Sequence, residues 1–299
     1  MKEIRLGFAD TFSTAINFFT EALGRRFKIN RDDENPDYLI YGEGEFGRTH
    51  QRFGPSVSKI FYTGENVRPP WGECQFAMTF DHENSYRHYR LPLYVIDMWG
   101  AVTEGWTDDY YQLVGLKRDY ERDYDERDFC SFVVSNPRQE MRNKAFHFIN
   151  EYKQVDSGGP HLNNIGHVIP RDKLIHKLNF LDCHRFNICF ENGSHPGYVT
   201  EKLFNALQVK TMPIYWGSAT VGRDFNPRAF VNASDHGDFN KLVDYVRHLD
   251  SPAGKKEYLD IIEQPAFKND IPNEFTDMNN LCDWWETFVI RSEEHTSEL

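Results

Sequence analysis

The segment 186–217 combines residue types that could bind an anionic ligand. It reads FNICFENGSHPGYVTEKLFNALQVKTMPIYWG. An apolar strand ends in Glu191 and Asn192, a loop of Gly, Ser and Pro residues follows, and residues 198–202 open a helix. Backbone amides at a helix start, together with the helix dipole, attract negative groups. The sequence therefore predicts an anion site where this loop meets the helix.

Two cationic side chains are candidates for such a site. Lys202 lies in the first turn of the predicted helix, where the dipole disfavours a positive charge unless a negative ligand is present. Arg142 lies in a helix that Pro137 opens, and helical side chains lean toward the amino end, so its guanidinium could reach an anion there. From spacing alone, a solvated lysine and a surface arginine remain open as alternatives.

A glycine pattern suggests a different ligand. Gly42, Gly44 and Gly47 have the spacing of a dinucleotide fingerprint, but Glu43 and Glu45 would bring two carboxylates against a pyrophosphate. The residues that follow do not form an apolar helix. We therefore interpret this segment as a glycine-rich turn.

An acidic pair, Asp123 and Asp125, has a spacing that could hold a divalent ion on a diphosphate. The pair lies in the charged run 117–128, KRDYERDYDERD, which has neither a flanking apolar strand nor a turn to fix the ligands. We expect no metal site here, and we interpret the run as an exposed connection near a domain boundary.

Size and charge limit the classes of function. At 299 residues the chain is long enough for about two domains, and 39% hydrophobic residues predict a soluble globular protein. The 34 basic and 46 acidic side chains give a net charge of −12, which would repel a nucleic-acid backbone. Any phosphate must therefore be met by a few local cations.

Localisation and cysteine chemistry are also constrained. No apolar run approaches the roughly 18 residues of a membrane span, and the start of the chain lacks the apolar region of a signal peptide. A cytoplasmic location is expected. The five cysteines contain no Cys-x-x-Cys pair, so free thiols are predicted.

The last nine residues of the sequence differ in kind from the rest of the chain. Residues 291–299 read RSEEHTSEL and back-translate to the start of a common DNA-sequencing adapter, so we interpret them as an artefactual tail. The native chain is expected to continue beyond about Ile290. Just before it, Trp284, Trp285 and Phe288 are predicted to form the core face of a final helix, because no basic cluster accompanies them.

Strands and helices alternate along the chain, which is typical of parallel, doubly wound sheets. In such sheets, ligands lie at the carboxyl ends of strands and the amino ends of helices. The predicted strands are 4–8, 38–41, 59–63, 75–80, 129–134, 186–190, 212–215 and 229–231, and the predicted helices are 13–23, 137–149, 199–208 and 238–249.

Several short segments occur in a characteristic order. They are FYTGEN at 61–66, RLPLY at 90–94, FVVSNP at 132–137 followed by Arg142 and Asn143, FEN at 190–192, GYVTEK at 197–202, PIYWGS at 213–218 and DFNPRAFV at 224–231. Together they resemble the α1,3/4-fucosyltransferases, especially the bacterial members. The resemblance covers most of residues 59–264, whereas the residues before 59 match weakly.

The resemblance implies the GT-B fold, an α/β architecture in which two Rossmann-like doubly wound domains face each other across a cleft. It assigns residues 1–127 to an N-terminal, acceptor-side domain and residues 128–290 to a C-terminal domain that binds GDP-fucose. Bacterial members often carry C-terminal repeats and a basic amphipathic tail. The resemblance therefore also implies peripheral association with the inner face of the membrane, through a segment beyond residue 290.

The resemblance assigns roles to individual residues. Arg142 and Lys202 match the pair that binds the donor diphosphate in the family. Asn192, Tyr198 and Glu201 fall where the family contacts the donor. These five residues are the predicted GDP-fucose site.

Glu65 falls where the family places its general base, although by itself a solvated loop glutamate remains the alternative. Inverting transfer needs a carboxylate that takes the proton from the attacking hydroxyl while the diphosphate leaves from the opposite face of the sugar. Two cations and helix-end amides can meet the leaving-group charge without a metal. The implied reaction is metal-independent fucose transfer to a galactose/N-acetylglucosamine-type glycan, with an α1,3 linkage expected before α1,4.

Two rival functions remain open. A GT-B enzyme could use another nucleotide sugar, and a glycan-binding module could hold its ligand without turnover. The joint presence of Glu65, Arg142, Glu201 and Lys202 favours an active enzyme over the module.

Overall fold

The computed structural model describes residues 1–103, 120–268 and 277–290. Within these ranges the strands are β1 (Glu3–Ala9), β2 (Lys28–Arg31), β3 (Tyr38–Tyr41), β4 (Ser58–Tyr62), β5 (Phe76–Thr79), β6 (His88–Arg90), β7 (Asp128–Phe132), β8 (Val155–Ser157), β9 (His184–Phe190), β10 (Met212–Trp216) and β11 (Val231–Asn232). The helices are α1 (Ser13–Gly24), α2 (Leu93–Thr103), α3 (Tyr120–Glu126), α4 (Glu140–Tyr152), α5 (Leu174–Asp182), α6 (Glu201–Gln208), α7 (Phe239–Leu249), α8 (Lys255–Ile262) and α9 (Met278–Trp284).

The chain divides into two compact units, and each is built on a fully parallel sheet. The first unit has six strands in the order β2-β1-β3-β4-β5-β6. Its connections run to one side of β1 and then to the other, so the topological switch point lies between β1 and β3. Ligands of doubly wound sheets bind beyond the carboxyl ends of the strands at such a point.

The second unit has five strands in the order β11-β10-β9-β7-β8, and its switch point lies between β7 and β9. Every residue of β9 is buried, as expected for a central parallel strand that is covered on both faces. The apolar core of this unit includes Phe132, Phe186, Ile188, Phe190, Ile214, Val246 and Leu249. The α/β prediction of two doubly wound parallel domains is confirmed.

Helix α9 packs on the first unit rather than the second. The Cys282 thiol contacts the Ala22 carbonyl oxygen at 3.1 Å, and the Trp284 indole N–H donates to the Tyr86 carbonyl oxygen at 3.1 Å. Trp285 is fully buried against Tyr38. Trp284 and Trp285 therefore form a core face, as predicted, whereas Phe288 is half-buried. The chain returns to the first unit at this helix, and the division into residues 1–127 and 128–290 stays a prediction.

The described part of the charged run, residues 120–128, contains a short helix and is not only the exposed connection that the sequence predicts. Residues 120–126 form α3, and the buried Tyr124 donates a 2.8 Å hydrogen bond to the Leu249 carbonyl oxygen. Its ring also makes an edge-on contact with Tyr258. Tyr120, one turn earlier, packs on the same core while partly exposed, so two aromatic side chains anchor a helix whose other residues are charged.

Several strands and helices of the structure were not predicted from the sequence. Each predicted strand and helix has a counterpart, whereas β2, β6, β8, α2, α5, α8 and the short α3 were not predicted. No helix in the described part of the chain has the length and apolar character needed to cross a membrane. The predicted tail, 291–299, lies outside the described residues.

Candidate functional site

At the switch point of the second unit, Arg142 and Asn192 are in direct contact. The Arg142 Nη1 group donates a 2.6 Å hydrogen bond to Asn192 Oδ1, and Nη2 donates a 2.5 Å hydrogen bond to the Asn136 carbonyl oxygen. Gln139 caps α4 and donates from Nε2 to the Asn192 carbonyl oxygen at 2.8 Å. The amino end of α4 is thereby fixed to the loops that follow β7 and β9.

Arg142 is almost fully buried, with 1% of its surface exposed, so the surface-arginine alternative is wrong. Burying a guanidinium is costly unless its N–H groups are hydrogen-bonded. The Asn136 and Asn192 oxygens that accept from it are uncharged. These bonds orient a planar cation whose geometry suits the oxygens of a phosphate.

Glu191 organises the loop after β9, and the sequence analysis did not select it. Its carboxylate has no exposed surface and accepts hydrogen bonds from the backbone N–H and the hydroxyl of Thr200, both at 2.7 Å. Lys202 Nζ donates to the same carboxylate at 3.2 Å. Burial raises the pKa of Glu191 above its usual range, and Lys202 opposes that rise. The sequence feature that could have identified Glu191 is a carboxylate that directly follows an apolar strand.

Lys202 is held by the protein itself. Its ammonium group also donates to the Thr200 hydroxyl at 2.9 Å and lies 3.7 Å from Glu201, which Lys177 approaches at 3.5 Å on the other side. Burial alone would raise the pKa of Glu201, but Lys202 and Lys177 lower it to about 2. Neighbouring carboxylates thus explain a lysine in a first helical turn, where the sequence argument invoked a bound anion.

The loop between Asn192 and α6 is fixed by backbone contacts. Gly197 has a φ of +86°, which favours glycine, and its N–H donates to the hydroxyls of Ser218 and Thr220 at 2.9 and 2.8 Å. Tyr198 is buried directly after it. Its predicted contact to the donor stays a prediction. The Thr200 N–H just before α6 already donates to Glu191, so Arg142 and the remaining amides at the helix start are the groups that can receive an anion.

In the first unit, Glu65 follows β4 at the carboxyl edge of the sheet and is half-buried. Its N–H donates to the Thr63 hydroxyl at 3.0 Å. The preceding Gly64 packs so closely on Leu93 that a Cβ atom would come within 2.8 Å of a Leu93 methyl carbon. A fixed, partly exposed carboxylate at a strand end can serve as a proton acceptor.

Glu43 lies near Glu65, although the sequence analysis treated it as part of a turn. Burial first, and then the charges of Glu65 and Glu45, raise the pKa of Glu43 to about 7. A hydrogen bond with the Thr63 hydroxyl acts in the opposite direction. The segment continues into a 3-10 turn, Thr49–Arg52, which agrees with the rejection of a dinucleotide fingerprint.

A buried histidine supports the same edge of the first sheet. His50 Nδ1 is 2.8 Å from Asp10, and Nε2 is 2.9 Å from Glu73. The Asp10 carboxylate also accepts the N–H groups of Thr49 and His50. The His50 ring stacks on Tyr41 with centroids 4.1 Å apart. No local sequence pattern indicates this cluster, because Asp10, His50 and Glu73 come from three separate connecting segments.

Within the described residues, one group of side chains has donor atoms close enough to share a metal ion. Asp128, Asp156 and His184 offer such atoms within 4.8 Å of one another. Asp128 and His184 begin their strands, so the group lies at the end of the sheet opposite Asn192. His184 Nε2 contacts Asp156 at 3.2 Å and Nδ1 contacts the Phe180 carbonyl oxygen at 2.7 Å, which an ordinary histidine–carboxylate pair explains.

The acidic pair considered in the sequence lies elsewhere. Asp123 and Asp125 are both in α3, and Asp125 accepts a 2.8 Å hydrogen bond from Lys255. That contact is an exposed ion pair of the second unit. The expectation that metal plays no part in the reaction stays a prediction.

Two family models match the chain. Residues 5–97 match the alpha-(1,3)-fucosyltransferase FucT N-terminal domain, and residues 125–294 match the C-terminal part of glycosyltransferase family 10 (fucosyltransferase). An alpha-(1,3)-fucosyltransferase FucT of Helicobacter pylori is 34% identical over 230 residues, which are 69% of this chain and 47% of that protein. Human alpha-(1,3)-fucosyltransferase 4 is 31% identical over 43% of this chain and 24% of its own length. The chain spans about half or less of the length of these relatives.

Solved structures are similar over nearly the whole chain. A crystal structure of an alpha1,3-fucosyltransferase superposes with a TM-score of 0.79 and 27% identity, covering 96% of this chain and 90% of the other. A crystal structure of alpha1,3-fucosyltransferase with GDP-fucose gives a TM-score of 0.74 and 26% identity, over 96% and 91% of the two chains. The described architecture is therefore that of the fucosyltransferase GT-B structures.

Proposed function

The chain belongs to glycosyltransferase family 10, the fucosyltransferases, and we propose that it transfers L-fucose from GDP-fucose to a hydroxyl of a galactose/N-acetylglucosamine-type glycan. The observation that carries the proposal is the buried Arg142 fixed to Asn192 at the switch point of a parallel sheet. A guanidinium fixed at that point, on the loop that leads from β9 to α6, suits the diphosphate of a nucleotide sugar.

The residues of the second unit would hold the donor. Arg142 and Lys202 provide the cations, and the first amides of α6 provide further donors to the phosphate oxygens. As the bond between the fucose anomeric carbon and the phosphate oxygen breaks, GDP leaves with the electron pair. The fixed positive groups then stabilise the charge that develops on the leaving phosphate. Asn192, Tyr198 and Glu201 are the remaining proposed donor contacts.

Glu65 of the first unit would act as the general base. It takes the proton of the acceptor hydroxyl while that oxygen forms the new bond to the anomeric carbon, with inversion at that carbon. No metal is required in this scheme, because Arg142, Lys202 and helix amides stabilise the negative charge of the leaving diphosphate. We propose that the fucose in the product has an α1,3 linkage and not an α1,4 linkage.

A donor panel tests the proposal. The chain is incubated with N-acetyllactosamine and with GDP-fucose, GDP-mannose or UDP-galactose, and sugar transfer is scored together with free nucleotide. Transfer from GDP-fucose alone is expected, with the linkage read from the NMR spectrum of the product. Transfer from another donor instead would favour the rival nucleotide-sugar enzyme. Glycan binding without release of any nucleotide would favour a non-catalytic module.

The cytoplasmic location and the association with the inner face of the membrane stay predictions. We expect the product of the natural gene to be cytoplasmic and to sediment partly with membranes. Fractionation of cells that express the natural gene, with and without high salt, measures both.

A further inference from the structure

Glu43 and Glu65 lie at the same edge of the first sheet, just beyond two neighbouring strands. Strands β3 and β4 are parallel partners, with Tyr41 opposite Phe61. Glu43 follows the end of β3 and Glu65 follows the end of β4. Because carboxyl ends of parallel strands meet at one edge, the topology holds these carboxyl groups near each other.

Thr63 connects the two glutamates. Its hydroxyl oxygen accepts the N–H of Glu65 at 3.0 Å, and its hydroxyl hydrogen-bonds the Glu43 side chain. Thr63 itself is buried, so water does not compete freely for this group. One fixed hydroxyl therefore ties the backbone position of Glu65 to the carboxyl group of Glu43.

Close packing prevents Glu43 from moving away. A Cβ atom on Gly42 would overlap the Asp10 carbonyl oxygen, and one on Gly47, whose φ is +137°, would come within 2.5 Å of the Asp10 carboxylate. Asp10 is itself held by His50. The turn that carries Glu43 thus rests against the end of β1.

The charged groups around this pair are mainly carboxylates. Glu45 lies on the same turn as Glu43, and Glu65 and the buried Tyr62 lie on the β4 side. Arg48 is a cation on that turn, with its Nε 3.9 Å from where a Cβ atom on Gly44 would be. On the β1 side, Asp10 is paired with His50. Burial and the carboxylates Glu65 and Glu43 raise the pKa of the Tyr62 phenol above its usual range, so it stays neutral.

We propose that Glu43 is a positioning residue for the transfer reaction: it and Glu65 form a carboxyl pair joined by Thr63, in which Glu43 places a second negative charge beside the proposed base. This inference rests on the proposed role of Glu65 as general base. When Glu43 is ionised, its charge favours the movement of the acceptor proton to Glu65. When Glu43 carries a proton, that charge is absent and transfer is slower.

The pH profile of kcat/KM tests the coupling. For the wild-type protein the acid limb should lie near neutrality, since the pKa of Glu43 is raised to about 7. Glu43→Gln should move this limb at least one pH unit lower and reduce the plateau about three- to tenfold, because it removes both the group that titrates near neutrality and the charge that favours proton transfer to Glu65. Glu45→Gln, an exposed neighbour on the same turn, should move the limb much less. A limb that is unmoved in Glu43→Gln overturns the proposal.

A second measurement separates this inference from the proposed function. Carbon NMR of protein labelled at glutamate carboxyl carbons should show one carboxyl that titrates near neutral pH, that is lost in Glu43→Gln and that titrates at lower pH in Glu65→Gln. If this titration is seen but no fucose is transferred, the proposed function fails while the pair stands. If fucose is transferred but the Glu43 titration is the same in Glu65→Gln, the pair fails while the proposed function stands.

Discussion

The guanidinium of Arg142 donates a 2.6 Å hydrogen bond to the side-chain oxygen of Asn192 and thereby joins the first turn of α4 to the loop that follows β9. These residues are 50 positions apart in the sequence. Both follow strands that flank the switch point, so the fold itself brings them together. The hydrogen bond holds the cation in place before any ligand arrives, which reduces the ordering cost of binding.

Replacing Arg142 with Lys should weaken GDP binding while keeping the positive charge. Lysine cannot reproduce the planar arrangement of N–H groups that reaches Asn192, Asn136 and a phosphate together. We expect a loss of about 1.5–3 kcal/mol, or roughly ten- to hundredfold in Kd, measured by isothermal titration calorimetry. Arg138→Lys, at an exposed position just before α4, is the matched control and should bind GDP normally. Unchanged affinity in a folded Arg142→Lys protein would remove Arg142 from the donor site.

Lys202→Met should destabilise the second unit, because it leaves the buried Glu191 carboxylate without its ammonium partner. Removing one member of a buried ion pair costs about 2–4 kcal/mol in the free energy of unfolding. In a Glu191→Gln background the same substitution should cost at least about 1 kcal/mol less, which a double-mutant cycle in urea measures. Equal costs in the two backgrounds would show that Glu191 and Lys202 are not coupled.

The sequence alone was sufficient to predict the family and the core strands of the fold. The buried strands β3, β9 and β10 were predicted because runs of apolar residues end at turn signals. Arg142 and Lys202 were candidates from their helix positions and Asn192 from the resemblance, and the structure brings Arg142 into contact with Asn192. Their roles in binding stay predictions.

The missed features depend on contacts between distant segments. Glu191 gains its importance only when Thr200 and Lys202 fold back over it, and a lone glutamate after a strand does not reveal that. Tyr124 likewise stabilises α3 through Tyr258 and Leu249, more than a hundred residues later. Two tyrosines among charged residues, Tyr120 and Tyr124, are too few to show a helical apolar periodicity.

Glu65→Gln should leave GDP affinity nearly unchanged while fucose transfer falls about 10²-fold or more. The substitution keeps the shape of the side chain and the hydrogen bond from the backbone N–H to the Thr63 hydroxyl, but the side-chain amide cannot accept the proton. Calorimetry measures the affinity, and product formation under saturating donor measures the rate. A variant that is folded and transfers at nearly the wild-type rate would place the base elsewhere, and Glu201 would be the next carboxylate to test.

Transfer should survive an excess of EDTA, because Arg142, Lys202 and the α6 amides can meet the charge of the leaving diphosphate. Initial rates with and without the chelator measure this. Asp123→Asn alters the acidic pair of the charged run, and Asp156→Asn alters the group of side chains that could share a metal ion. Both variants should keep the wild-type rate. A complete loss of activity that Mg²⁺ or Mn²⁺ restores would contradict the metal-independent mechanism.

Glu201→Gln should lower stability at neutral pH and have less effect in acid. In the folded protein, burial is outweighed by Lys202 and Lys177, which lower the pKa of Glu201 from 4.5 to about 2. A lowered carboxyl pKa contributes stability above pH 4.5, and that contribution is lost as the pH falls toward 2. Because the side chain is partly exposed, we expect a cost of about 2 kcal/mol at pH 7 and less than half of that at pH 3.

Urea unfolding of the wild type and the variant at both pH values gives the comparison for Glu201. Glu140→Gln is the matched control, since Glu140 is an exposed carboxylate in the first turn of α4 and shares the helix-dipole contribution. Its cost at pH 7 should be clearly smaller, because its ion pair with Lys144 is exposed to water, whereas Glu201 is partly buried beside both Lys202 and Lys177. An equal cost of Glu201→Gln at pH 7 and pH 3 would show that the ion pairs do not carry this stability.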